Sequence, residues 1–141
     1  MKKLLLLVAF LGGVAFADMV VPVANLPQNA QDFIANNFKG ANAMYVKMDY
    51  DSYDVVLSNG VKVKFFTTGE WKKIHSYMGV NPSLLPAPVA TAINANFQGA
   101  QIIKVDKKWS GYEVKLANGI KAYFDANGNL MGQKYKKARF K

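Results

Sequence analysis

Apolar residues recur along this chain at two spacings, and the two spacings alternate twice. After Leu26-Pro27, the residues Ala30, Phe33, Ile34 and Phe38 follow at three- and four-residue intervals, which is one face of a helix. Val89, Ile93 and Phe97 do the same after Leu85-Pro86. Proline suits the first turn of a helix because the amide it lacks has no partner there. Gly40 and Gly99 stand two residues past the last phenylalanine, where a helix stop belongs. Each pattern therefore predicts a helix of about three turns. Beyond each helix the spacing falls to two. Tyr53, Val55 and Leu57 lead to Asn59-Gly60 and then to Val61, Val63 and Phe65; Tyr112, Val114 and Leu116 lead to Asn118-Gly119 and then to Ile120, Ala122 and Phe124. Asn-Gly between alternating runs predicts a hairpin with a type I′ turn, whose two central residues both take positive φ. A strand before each hairpin, near 44–48 and 103–107, and another after Gly69 and Gly128 complete a meander. The predicted class is α+β, with a helix on one face of about four antiparallel strands in each unit.

The two units are copies. Residues 26–74 align without a gap on 85–133, at a constant offset of 59, and 16 of the 49 positions are identical. The identities fall where a fold needs them: Leu26/Leu85, Pro27/Pro86, Ile34/Ile93, Val55/Val114, Leu57/Leu116, Phe65/Phe124 and the turn glycines. The organisation expected is a first repeat over 18–75, a linker over 76–84 that contains Gly79 and Pro82, a second repeat over 85–133 and a basic tail over 134–141. A unit of about 50 residues buries too little apolar surface to stand alone, so the copies are expected to pack together or to share a continuous surface.

The first 17 residues have a different character. Lys2-Lys3, the apolar run from Leu4 to Phe10 and the small-x-small triplet Ala15-Phe16-Ala17 have the form of a cleavable signal peptide. From Leu4 to Ala17 the stretch is shorter than the roughly 20 residues needed to span a bilayer. Export to the periplasm follows as an expectation, with secretion beyond it left open. Loss of Lys2 and Lys3 takes the formal charge from +9 to +7, which favours acidic partners; outside the cytoplasm these are anionic polymers, lipid head groups or acidic proteins rather than nucleic acid. The chain has no cysteine, which excludes disulfides, a thiol nucleophile and thiolate metal sites.

Little in the sequence suggests catalysis. His75 is the only histidine and no nucleophile motif accompanies it, so no catalytic residue is assigned and a surface position is expected. Asp49, Asp51 and Asp54 lie close together, but they lack the glycine and distal glutamate of a calcium loop, and Lys108-Trp109-Ser110-Gly111-Tyr112-Glu113 replaces them in the second copy. A solvated hairpin tip is the expectation there, and a turn is expected at Asp125-Ala126-Asn127-Gly128. No metal or cofactor site is assigned.

The residues that alternate with the core positions are more informative. In the first copy they are Tyr45, Lys47, Asp54, Val56, Lys62, Lys64 and Phe66; in the second they are Lys104, Glu113, Lys115, Lys121 and Tyr123. Lysines beside aromatics suit a binding face, although lysines also keep any solvated sheet from aggregating. Trp71 is either an anchor on that face or a core residue. The tail from Lys134 either docks on an anionic surface or frays.

Leu-Pro, a short helix ending near Phe-x-Gly-Ala, then Tyr-Asp-Val-x-Leu-x-Asn-Gly, an alternating strand and Gly-Glu-Trp together resemble the β-lactamase-inhibitor-like, PepSY-like family of exported bacterial proteins. The resemblance covers nearly all of the chain after residue 17. It implies a helical layer on one face of a four-stranded sheet in each unit, an open opposite face, and no enzymatic activity; in the namesake inhibitor the open faces bind an enzyme. Asn129-Leu130 in place of Glu70-Trp71 departs from the pattern and bears on any role needing a tryptophan in both copies. The function expected is a non-enzymatic periplasmic binding protein, monomeric and inhibitor-like, that presents Tyr45, Lys47, Lys62, Lys64, Phe66, Trp71, Lys104, Lys115, Lys121 and Tyr123 to an envelope protein, an enzyme being one candidate. The alternative is an envelope-associated structural or stress protein held on anionic lipid or polymer.

Overall fold

The structure, a computed structural model, describes residues 19–135. The expected signal peptide over 1–17 and residues 136–141 of the expected basic tail lie outside them. A short strand β1 (Met19–Val21) leads to helix α1 (Gln28–Asn37) and to strands β2 (Ala43–Met48), β3 (Ser52–Leu57), β4 (Lys62–Phe66) and β5 (Trp71–His75). Helix α2 (Ala87–Asn96) then precedes β6 (Ile102–Lys108), β7 (Gly111–Leu116), β8 (Ile120–Asp125) and β9 (Leu130–Tyr135). Lys134 and Tyr135, assigned from sequence to the tail, thus finish the last strand.

The strands form one antiparallel sheet of nine in the order of the chain, rather than two separate meanders. The seam is the pairing of β5 with β6, which sets Lys73 opposite Asp106, Ile74 opposite Val105 and His75 opposite Lys104. The segment expected as a linker is built into this seam. The Ser76 amide donates to the Ile103 carbonyl and the Val80 amide to that of Ile102, while Val80 itself is buried.

Because opposite residues of an antiparallel pair share a face, the register defines rows running across the strands. One apolar row passes through Val46, Val55, Val63, Ile74, Val105, Val114 and Ala122, and every member is buried. Both helices lie on this face. Ala30 and Ile34 of α1, and Val89 and Ile93 of α2, join the same core. Phe33 meets the Phe65 ring edge-on at 5.9 Å, and Phe97 meets Phe124 likewise at 6.4 Å.

The hairpin turns differ from the type I′ geometry expected for Asn-Gly. No residue other than glycine has positive φ among the described residues, so Asn59 and Asn118 do not adopt it. Instead the Gly60 amide donates to the Leu57 carbonyl, the Leu57 amide donates to that of Val61, and Gly60 alone takes φ +88°. This is a three-residue loop closed by a left-handed glycine. Asn59 contributes its side chain, whose Oδ1 accepts from the Val61 amide, as Asn118 does for Ile120.

Candidate functional site

The sheet face opposite the helices is covered by no element among the described residues, and two rows of side chains cross it. The first runs Lys47, Asp54, Lys64, Lys73, Asp106, Glu113 and Tyr123. The second runs Tyr45, Val56, Lys62, His75, Lys104, Lys115, Lys121 and Lys134. Nine of the ten residues selected from sequence alternation lie on this face, and the β5–β6 seam joins those of β2–β4 and those of β6–β8 into one surface. Phe66 stands beyond the first row, opposite Ser52 and with Lys72 Nζ 5.9 Å above its ring.

Trp71 is the exception. It is 8% exposed, stacks on Phe33 across the helix side of the sheet, and has Lys107 Nζ 4.2 Å over its ring. A partner on the open face cannot touch it, so Trp71 belongs to the core and not to the open face. The cause is a bulge: Phe65 pairs with Trp71 and Lys64 with Lys73, leaving Lys72 extra on β5. Simple alternation beyond Gly69 loses phase there, which also hid Lys72, Lys73 and His75 from the sequence reading. Their period-two signal exists only once the bulge is known.

The two rows differ in electrostatics. In the first, acids neutralise lysines: Asp54 holds Lys64 at 2.8 Å, and Asp106 is approached by Lys72, Lys73 and Lys108 at 3.6, 3.7 and 3.5 Å. Asp106 is 6% exposed, its Oδ1 accepts no hydrogen bond, and its charge is balanced by these three cations at the seam. Asp106 and then Glu113 raise the pKa of Lys108 above its ordinary value. In the second row Glu113 reaches only Lys121, at 3.2 Å. Lys62, Lys104 and Lys115 form no ion pair among the described residues. Burial and then the surrounding lysines, Lys104 foremost, push the pKa of His75 below the usual histidine value, and burial and Lys73 push Lys104 down as well. Burial is the largest cause in both cases; every charge acting on His75 is a lysine, whereas on Lys104 Asp106 and Glu113 oppose Lys73 and Lys121.

A depression of about 480 Å³ opens on this face, lined by Tyr45, Lys47, Asp54, Val56, Lys62, Lys64, Lys73, His75 and Lys104. A larger one, about 600 Å³, lies between α2 and residues 78–82 and is lined by no ionisable side chain. The positively charged depression is therefore the better candidate for recognising a ligand by charge. The ring of His75 lies 4.6 Å from that of Tyr77, with lysines, not acids, as its charged neighbours. Among the described residues no carboxylate orients it as a general base would require. Among the described residues no three His, Cys, Asp or Glu side chains converge as a metal site would need. The Asp125 carboxylate is occupied in its turn, accepting from the amides of Asn127 and Asn129 and from Asn129 Nδ2.

A family model described as "Putative beta-lactamase-inhibitor-like, PepSY-like" matches residues 51–132. Among solved structures, one named a putative periplasmic protein of unknown function, from Bacteroides vulgatus, is 30% identical, covers 84% of this chain and 99% of its own, and superposes with a TM-score of 0.79. Another, named a putative calcium-regulated periplasmic protein, from Bacteroides thetaiotaomicron, is 31% identical over 83% of this chain and 96% of its own, with a TM-score of 0.77. A second Bacteroides vulgatus protein, also named periplasmic, is 32% identical over the same shares with the same TM-score. No curated protein matches the chain.

Proposed function

Because this chain belongs to the β-lactamase-inhibitor-like, PepSY-like family, we propose that it is a periplasmic, non-enzymatic binding protein that meets a macromolecular partner with its open sheet face. The observation that carries this reading is the face itself: two rows of charged and aromatic side chains span the sheet, held by a core on the other side and covered by nothing described. The backbone of a paired sheet is already ordered, so the ordering cost on association falls on the lysine side chains alone. The periplasmic assignment is supported by the names of the relatives and by the signal-peptide pattern of residues 1–17. We read the two halves as copies of one helix-plus-four-strand unit. Consistent with this, α1 and α2, and likewise β3 and β7, begin and end 59 residues apart.

The test compares wild-type protein with the variant Lys62→Glu/Lys121→Glu as bait in periplasmic extract. The substitutions lie on the open face of both copies and leave the core intact, so circular dichroism should be unchanged, with a small drop in melting temperature because Lys121→Glu exchanges the ion pair with Glu113 for a like-charge contact. A partner retained by wild type and lost by the variant is the expected result; retention by both overturns the role of this face.

A further inference from the structure

Resting on the reading of the open face as a binding surface, we propose that the second row takes an acidic protein segment, extended across the strands, whose carboxylates lie along Lys62, His75, Lys104 and Lys115. Charge complementarity selects the ligand. These four side chains come from four consecutive strands and form no ion pair with an acid among the described residues, Asp106 and Glu113 reaching Lys104 only at longer range, while the parallel first row has its own acids paired in place. The site is thus a positive stripe beside a neutralised one. Neighbouring strands lie about 4.8 Å apart, so the stripe from Lys62 on β4 to Lys115 on β7 is roughly 14 Å long, the span of about four residues of extended chain.

Shape separates an acidic segment from an anionic lipid surface. Adjacent strands rotate by about 20° each, so across these four strands the stripe turns through roughly 60°. A flat bilayer could reach only part of such a stripe, and would also set its uniform negative charge against Asp54 and Glu113 in the first row. A flexible peptide follows the twist and places carboxylates only where the lysines stand. The groups facing His75 are Lys62 from β4, Lys73 on its own strand, Lys104 from β6, Lys115 from β7 and the Tyr77 ring. A carboxylate seated among them reverses the balance of charge around the imidazole and favours its protonated form.

His75 is the only histidine, so its ring proton resonances report on the site without ambiguity in untagged protein. The experiment titrates an eight-residue glutamate-rich peptide into the untagged protein and follows the His75 titration curve by NMR. Inorganic phosphate and anionic phospholipid vesicles form separate arms. The peptide is expected to bind and move the His75 pKa upward, and binding should weaken about tenfold or more when salt is raised from about 0.05 to about 0.3 M. Lys104→Gln/Lys115→Gln should lose that binding while melting as wild type does. The proposal is overturned if the peptide leaves His75 unmoved at low salt, if the double variant binds as well as wild type, or if only vesicles or phosphate bind. A periplasmic partner captured through the face but not displaced by the peptide would overturn this inference and leave the binding reading standing; peptide binding with no partner captured would do the reverse.

Discussion

His75 shows how much of this protein's chemistry is decided by neighbours. Seen in the sequence as a lone histidine without a nucleophile, it sits between lysines of the two adjacent strands, and burial together with those cations lowers its pKa from 6.5. In the unfolded chain the cations are dispersed, so as pH falls the unfolded state takes up the proton first. The neutral imidazole's contribution to stability is therefore present above about pH 6.5 and is lost as pH falls through the lower folded-state value. Urea unfolding measured between about pH 7.5 and 5 should show declining stability in wild type and a shallower decline in His75→Gln; equal slopes would contradict this account. Trp71 illustrates the opposite dependence. Its identity as core or anchor was undecidable from the sequence because both kinds of site use a tryptophan after a turn. The extra residue Lys72 decides it, by turning Trp71 onto Phe33 and leaving Trp109, at a hairpin tip, as the fully exposed tryptophan.

At the scale of elements, each helix is seated by a turn from its own half. Gly69 precedes β5 and faces Asn29 of α1; Gly128 precedes β9 and faces Pro88 of α2, both contacts being displaced by the same 59 residues. Both glycines have positive φ, +94° and +88°, which by itself costs an alanine about 1–2 kcal/mol. The surroundings separate them. A methyl at Gly69 would meet the Asn29 side chain, which can rotate away at the expense of its hydrogen bond to the Thr68 carbonyl. A methyl at Gly128 would come within 2.4 Å of the Pro88 carbonyl oxygen, which is backbone and cannot move without shifting the helix. Gly128→Ala should therefore destabilise the protein more than Gly69→Ala, by at least about 1 kcal/mol in chemical denaturation; equal losses would mean that α2 is not held by this contact. The elements themselves were legible: apolar spacing located both helices, and alternation about Asn-Gly located the hairpins. The turn type was not, because an Asn-Gly pair serves equally in a three-residue loop where only the glycine is left-handed.

For the whole molecule, the decisive feature is the pairing of β5 with β6. Nothing local predicts it, since residues 76–101, including α2, separate the two strands in sequence. Its consequence is large. Two small meanders become one sheet, two apolar patches become one core, and two short sets of lysines become a stripe crossing β4 to β9. Asp106 sits at this seam with Lys72, Lys73 and Lys108 about it, where the first copy has Lys47 at the matching position. That exchange of charge lets β5 and β6 pair without setting a lysine against Lys73. The candidate face could be read residue by residue from the sequence, but its unity was only one of two arrangements the sequence left open, because the β5–β6 pairing has no local signal.

The most direct measurement is lysine footprinting of the protein in periplasmic extract, by brief amine acetylation and mass spectrometry, against the purified protein alone. Protection of Lys62, Lys104 and Lys115, with exposed Lys39 beyond α1 still reactive, is the result expected for recognition by the open sheet face. Protection of Lys39 while the three face lysines react freely would place the partner on the helical side and contradict it.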